Sequence, residues 1–291
     1  MSVVHKTTLR VRHYECDAWG HVNHANYLRY MQQAAFDASA AVGYDEARYT
    51  AQGTFWLIRE TEIEYLRQLV YGDEVEITTW VGDFRRVRSR RFYEFRHVAS
   101  GELVAKASTD WVYLDRKSGR PVSVPPEMIA AFAPEGDVSI GERDRFPAAP
   151  HAPPGIYLMT RLTEWRDIDA AGHVNNATYL NYMEEAAIRH ARASGWSMER
   201  MQAAGFVPVA RSHRIEYRAQ ASLGEEVTVS TFLSDVRRTS AVRHFIVARS
   251  SDGEVLAQAR SLWLFVNLKT NTIVRISSDF IADFAASIAE G

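Results

Sequence analysis

Glu15-Cys16-Asp17-Ala18-Trp19-Gly20-His21-Val22-Asn23-His24-Ala25-Asn26-Tyr27-Leu28 is echoed further along the same chain by Asp167-Ile168-Asp169-Ala170-Ala171-Gly172-His173-Val174-Asn175-Asn176-Ala177-Thr178-Tyr179-Leu180. The step from Asp17 to Asp169 also carries, without a gap, Tyr30-Met31 onto Tyr182-Met183, Ile63-Glu64-Tyr65 onto Ile215-Glu216-Tyr217 and Gly72 onto Gly224. It carries Arg85-Arg86 onto Arg237-Arg238, Gly101-Glu102 onto Gly253-Glu254 and Trp111 onto Trp263. About a third of roughly 120 aligned positions are identical, and a period this long means two copies of one domain, not a solenoid of short units.

Between the copies stand Pro134, Pro147, Pro150, Pro153 and Pro154, and apolar periodicity lapses there. Proline fixes φ and removes an amide donor, so the stretch reads as an extended surface connector. The expected organisation is an N-terminal domain over 1–133, a connector over 134–155 and a C-terminal domain over 156–291.

Outward from the motif, Thr7 to Tyr14 alternates apolar and polar residues as a half-buried strand does. Asn23 is placed to cap a helix, and Tyr27, Leu28, Tyr30, Met31, Ala34, Ala35 and Ala38 recur at helical spacing up to a stop at Gly43. Its alanines suit close packing on a sheet. Trp56 to Leu66, Asp73 to Phe84, Arg90 to His97 and Leu103 to Asp115 then read as strands, with turn signals at Ser100-Gly101 and Ser251-Asp252-Gly253. One long helix followed by antiparallel strands predicts an α+β fold in which a sheet wraps the helix. Such a sheet leaves an edge strand and a face uncovered, and pairing the copies as an intramolecular pseudo-dimer would cover both. Clefts between the halves would then be the natural place for ligands.

The chain has 291 residues, 46% apolar and 24% charged, which is enough for two hydrophobic cores. Lys plus Arg number 34 against 36 Asp plus Glu, a net charge of -2, so no global basic field favours nucleic acid or an anionic membrane. Neither is expected as a partner. The single cysteine, Cys16, excludes an internal disulfide framework and suits a reducing compartment, with cytoplasm the expectation. No apolar run approaches the roughly 20 residues of a membrane span, and Met1 to Arg12 lack the apolar core of a signal peptide.

The Glu15 to Leu28 segment resembles the signature of hotdog-fold acyl thioesterases of the 4-hydroxybenzoyl-CoA thioesterase-like group, in which the aspartate is the catalytic carboxylate. The second copy, from Trp165-Arg166-Asp167-Ile168-Asp169 to Tyr179, is similar to the equivalent stretch of double-hotdog acyl-ACP thioesterases. Trp111-Val112-Tyr113-Leu114-Asp115 with Gly119-Arg120-Pro121, and Trp263-Leu264-Phe265-Val266-Asn267, resemble the last strand and exit of those proteins. The resemblance implies a tandem hotdog fold and hydrolysis of an acyl thioester on coenzyme A or acyl carrier protein, with no cofactor. The plant-type pattern has an asparagine two residues after the aspartate; Trp19 and Ala171 stand there, so that network does not carry over whole.

Thioester hydrolysis needs an attacking oxygen and stabilisation of the carbonyl oxygen, while the thiolate leaves with little help. Asp17 and Asp169 are the candidate nucleophiles or general bases; otherwise each is a turn residue before a helix. Amides around Gly20, His21 and Val22, and around Gly172, His173 and Val174, are the candidate oxyanion hole, helped by the helix dipole. His21 and His173 are candidates to polarise the carbonyl, orient the carboxylate or move a proton. Asn23 and Asn175 read as N-caps that also shape the site. Asp17 and Asp169 are expected to be unequal, because His24 faces Asn176, Asn26 faces Thr178 and Gln33 faces Glu185 in the alignment, and Glu185 adds a carboxylate to the second copy. Cys16 is replaced by Ile168 and is read as inert. No set of ligands completes a metal site in the pattern, and no metal is expected.

The run Arg85-Arg86-Val87-Arg88-Ser89-Arg90-Arg91 reads as a solvated hairpin, or as a grip on coenzyme A phosphates or an acidic carrier through Arg86 and Arg88. The competing functions are a non-catalytic acyl-CoA-binding sensor and a hotdog hydratase or dehydratase, for which no acid/base motif along the helix is found. Further assembly into homo-oligomers is left open.

Overall fold

In the computed structural model, which describes residues 2–133, 144–267 and 269–290, the chain divides into two units, Met1–Arg145 and Phe146–Gly291. The division falls inside the expected connector, of which 134–143 lies outside the described residues.

The first unit runs β1 (Val4–Arg10), α1 (His24–Ala41), α2 (Glu46–Ala51), β2 (Thr54–Tyr65), β3 (Glu74–Arg85), β4 (Arg88–His97), β5 (Leu103–Asp115) and α3 (Pro126–Phe132). Its antiparallel strands lie in the order β1-β3-β4-β5-β2. The second unit repeats it as β6 (Tyr157–Leu162), α4 (Asn176–Ala193), α5 (Met198–Ala203), β7 (Val207–Tyr217), β8 (Glu226–Ser234), β9 (Ser240–Arg249), β10 (Val255–Asn267), β11 (Thr272–Ile273) and α6 (Ser278–Asp283). There the order is β6-β8-β9-β10-β7, with β11 on β10. Each unit is a hotdog, one long helix laid on an antiparallel sheet.

Helix α1 forms where the periodicity puts it. Asn23 caps it by accepting from the Ala25 amide at 3.0 Å, and the chain leaves through Gly43 at φ +81°, a conformation that favours glycine. Tyr27, Leu28, Tyr30, Met31, Ala34, Ala35 and Ala38 are buried along one face. Beneath it the registered strands stack their inward side chains in rows: Ile77, Phe95, Ala105 and Tyr65, then Thr79, Tyr93, Ala107 and Ile63. The second unit answers with Val229, Val247, Ala257 and Tyr217, then Thr231, Phe245, Ala259 and Ile215.

The first strand is shorter than the alternation suggested. It ends at Arg10, and His13–Glu15 is a single 3-10 turn, because the Glu15 carboxylate turns back to accept from the Arg12 amide at 2.7 Å. In the second copy Asp167 accepts from the Glu164 amide at 2.8 Å to make the same turn.

Candidate active site

Two buried carboxylates, Glu15 and Asp167, anchor the motif from behind. Tyr30, one turn and a half into α1, donates its hydroxyl to Glu15 Oε2 at 2.7 Å; Tyr182 on α4 donates to Asp167 Oδ2 at the same distance. Burial, reinforced by the carboxylate, pushes both phenols far above their usual range, so they stay protonated donors. The first unit adds Asn26, whose Nδ2 donates to the Glu15 carbonyl at 2.8 Å; the second has Thr178 there and instead brings Arg161 from β6 to Asp167 at 3.3 Å. The strand-to-helix turn is thus locked to the helix it precedes. Sequence reasoning missed these pairs, although an acid and a tyrosine fifteen residues apart in both copies were a visible signal.

From that anchor the chain makes a tight loop. Asp17 donates its amide to the His21 carbonyl at 2.8 Å and receives the Gly20 amide on its own carbonyl at 3.0 Å; Asp169, His173 and Gly172 do the same at 3.0 and 2.9 Å. Gly20 and Gly172 have φ of +80° and +82°, and a Cβ on either would meet open space. These glycines are therefore required by the turn's left-handed backbone, not by close approach of another group.

The candidate carboxylates sit half-buried at the loop's head. Asp17 Oδ1 accepts the amides of Trp19 at 2.8 Å and His21 at 3.2 Å. Asp169 is held through both oxygens: Oδ1 accepts the Ala171 amide at 2.9 Å and Oδ2 accepts Asn175 Nδ2 at 3.2 Å. Asn175 meanwhile caps α4 through Oδ1, 2.9 Å from the Ala177 amide. Cap and candidate base are coupled in the second copy.

Most of the candidate oxyanion amides are already taken. The Gly20 and Gly172 amides are spent on the turn, and the Val22 and Val174 amides donate to Leu69 and Ala221 carbonyls at 2.8 and 2.9 Å. The Asn23 and Asn175 amides donate to the Glu15 and Asp167 carbonyls, each at 2.9 Å, and the Ala25 and Ala177 amides go to the caps. A main-chain amide already bonded inside the protein has no second hydrogen for a substrate. The imidazoles are differently placed. Neither the His21 nor the His173 imidazole hydrogen-bonds its neighbouring aspartate side chain among the described residues, and His173 Nδ1 is buried without a hydrogen-bond partner there. Orienting the carboxylate therefore falls to main-chain amides and Asn175.

The other candidates separate cleanly. Glu185 pairs with Arg189 on the surface of α4 at 2.6 Å and is not a second site carboxylate. Cys16 is held above its usual thiol range by burial and by Asp17, which disfavours its thiolate. The His24 ring packs on Tyr65 with centroids 4.7 Å apart. The basic run divides by strand parity: Arg85, Arg86 and Arg88 are exposed at the β3–β4 hairpin, Arg90 reaches Ser108 and Glu62, and Arg91 points into the core.

A family model described as a thioesterase-like superfamily matches the chain twice, over residues 11–132 and 163–284. A palmitoyl-acyl carrier protein thioesterase from Arabidopsis thaliana is 23% identical over 195 residues, 64% of this chain and 47% of that protein. Its counterpart from Gossypium hirsutum is 22% identical over 283 residues, 90% of this chain and 64% of that one. The chain thus spans less than two thirds of the length of these relatives. Among solved structures, an acyl-ACP thioesterase from Bacteroides thetaiotaomicron superposes with a TM-score of 0.70 at 17% identity, covering 89% of this chain and 97% of that one. A 12:0-ACP thioesterase from Umbellularia californica gives 0.69 at 19%, covering 89% and 93%. These likenesses establish the shared fold. No helix among the described residues is long and apolar enough to cross a membrane.

Proposed function

The chain belongs to the thioesterase-like superfamily, and we propose that it hydrolyses an acyl thioester of coenzyme A or acyl carrier protein to the free acid and thiol. The observation that carries this reading is the held carboxylate, Asp169, fixed through both oxygens at the head of a turn that is locked to α4. Each carboxylate oxygen offers two lone-pair directions, so one donor apiece leaves acceptor capacity for a water. Asp169 acts as general base: it takes a proton from that water as the oxygen attacks the thioester carbonyl carbon. The tetrahedral oxyanion is met by the His173 imidazole through Nε2, since Nδ1 is buried away from any substrate. Collapse expels the thiolate, which needs little assistance because thiols are acidic beside alcohols. Asp17 and His21 are the first copy's version of the same site. Arg86 and Arg88 are read as contacts for the carrier's phosphates. A reduced Cys16 fits a cytoplasmic setting.

The test is release of free thiol from a panel of acyl-CoA and acyl-ACP substrates by the parent, Asp17→Asn, Asp169→Asn and the double variant. General-base removal is expected to lower kcat by about a hundredfold or more, with the larger loss at Asp169. Equal halving by each single change would mean two equivalent sites. No thiol release by the parent with retained acyl-CoA binding would make the protein a sensor.

A further inference from the structure

Below the two largely apolar rows of each sheet runs a third in which three of the four side chains are polar in both units. It is Val81, Arg91, Thr109 and Thr61 in the first, and Leu233, Arg243, Ser261 and His213 in the second. Arg91 and Arg243 each retain only 6% of their surface, and neither has a carboxylate partner among the described residues. A phenylalanine at the end of the last α-helix of each unit covers each arginine, Phe132 of α3 at 5.6 Å and Phe284, the C-cap of α6, at 6.0 Å from the guanidinium. An ion buried without a counterion is expensive, and two divergent copies have both kept it.

The second unit goes further than the first. Where α1 has Ala38, α4 has His190, whose Nδ1 lies 3.0 Å from Arg243 Nη1 and whose Nε2 lies 3.0 Å from Ser287 Oγ. Ser287 in turn donates to the Gly155 carbonyl at 2.5 Å. An arginine only donates, so His190 Nδ1 must accept and Nε2 must carry the hydrogen, which fixes a one-way chain from Arg243 to Gly155. The imidazole is neutral: burial first, and Arg243 second, push it down to about 3. Arg243, lowered to about 10 by burial, remains a cation at neutral pH. Its other hydrogen bond, to Thr231 Oγ1 at 3.4 Å, also leaves from Nη1. The guanidinium is therefore oriented at one corner, while its Nε and Nη2 hydrogens, a parallel fork matched to a carboxylate, are not used by the described residues.

We propose that Arg243 is a carboxylate-binding subsite in the core of the second unit, with His190 and Thr231 as positioning residues that turn its Nε–Nη2 edge toward the ligand. The ligand is a carboxylate on an aliphatic chain, supplied either as a free acid or as the distal carboxylate of an acyl thioester. Only the second source rests on the proposed hydrolysis.

The binding arm needs no turnover. Acetate, succinate, adipate and sebacate are titrated into the full chain by calorimetry at constant ionic strength, using the parent, Arg243→Met and Arg243→Lys. Saturable binding of at least one acid by the parent, weakened tenfold or more in both variants, is the expected result. Arg243→Lys keeps the charge and removes the fork, so it decides the matter should the methionine variant fail to fold by circular dichroism. The second arm compares KM for decanoyl-CoA with that for the sebacic acid monothioester of coenzyme A. A lower KM for the carboxylated substrate that disappears in the variants assigns the acyl source; acid binding without that advantage assigns a free carboxylic acid. Absence of both carboxylate binding and substrate preference in the parent overturns the proposal, as does binding that persists unchanged in both variants. Hydrolysis of decanoyl-CoA alone would leave the thioesterase reading standing while this one falls.

Discussion

Asn175→Ser separates two tasks that one side chain performs. Oδ1 of Asn175 accepts the Ala177 amide at 2.9 Å as the cap of α4, and Nδ2 donates to Asp169 Oδ2 at 3.2 Å. Serine is as good an N-cap as asparagine, so helix stability should change by only a few tenths of a kcal/mol. What is lost is the donor to the carboxylate. A hydrogen bond to a charged group contributes about 1.5–3 kcal/mol when well formed, and the long, half-exposed contact here belongs at the low end, about 1–1.5 kcal/mol. Felt in the transition state, that is roughly a 5- to 13-fold drop in kcat. Asn175→Ala removes the cap as well and should cost about 1 kcal/mol more in urea denaturation with a similar kcat. The decisive comparison is Asn175→Ser in an Asp169→Asn background, read by free-thiol release. If Asn175 works through Asp169, the second change adds nothing. An unchanged kcat in Asn175→Ser, or the same fold-loss in both backgrounds, would refute the coupling.

Two further outcomes can be measured on the same protein. His190 is pushed down to about 3 and His244 to about 4, each chiefly by burial, so the unfolded chain binds protons that the native state refuses below pH 6.5. Their stabilisation is complete above that value and is lost as pH falls: His190 should give up about 1–2 kcal/mol between pH 7 and 5, seen as a urea midpoint that shifts less in His190→Gln. Arg86→Ala with Arg88→Ala, at the exposed hairpin, should raise KM for acyl-CoA roughly three- to tenfold at low salt and less at high salt with kcat unchanged; an unchanged KM returns the hairpin to a solvated role.

The fold was readable where the signal is periodic or local. Asn23 and Gly43 bracket α1 because capping and a left-handed exit are written in single residues. β5 spans Leu103–Asp115 as expected because alternation and the Gly101 turn agree. The first strand was overextended because Val11 to Tyr14 continues the alternation after the backbone has turned. That turn is enforced by Glu15 bonding back three residues, which periodicity does not reveal. Short helices such as α2 and α5 went unread, although their caps, Asp45 and Ser197, stood in plain view, because six residues carry too little apolar pattern. In the site, residue types could be named, but amide partners such as Leu69 and Ala221 are distant in sequence. Arg91 was read with the rest of a basic run, and its phase with the inward Tyr93 and Phe95 along β4 is the signal that was passed over.

The two copies differ least where the backbone must turn and most where the carboxylate is held. Both keep the aspartate, the left-handed glycine, the cap and the tyrosine-to-acid lock. Those features are required for the strand to enter the helix at all, so their retention follows from folding and does not by itself indicate catalysis. The contacts that folding does not require are more informative. In the first copy, bonds to the aspartate side chain come from Trp19 and His21 amides on one oxygen, and Asn26 spends its amide on Glu15. In the second, Thr178 makes no such contact among the described residues, the shorter Asp167 recruits Arg161 from the neighbouring strand, and Asn175 reaches the second oxygen of Asp169. A turn residue needs only one oxygen satisfied, whereas a base gains from having both fixed, because rotation of the carboxylate would misplace its lone pairs by more than catalysis tolerates. The extra restraint on Asp169 is thus the contact that folding leaves unexplained and general-base chemistry explains, and it is the physical reason to expect the larger kcat loss there.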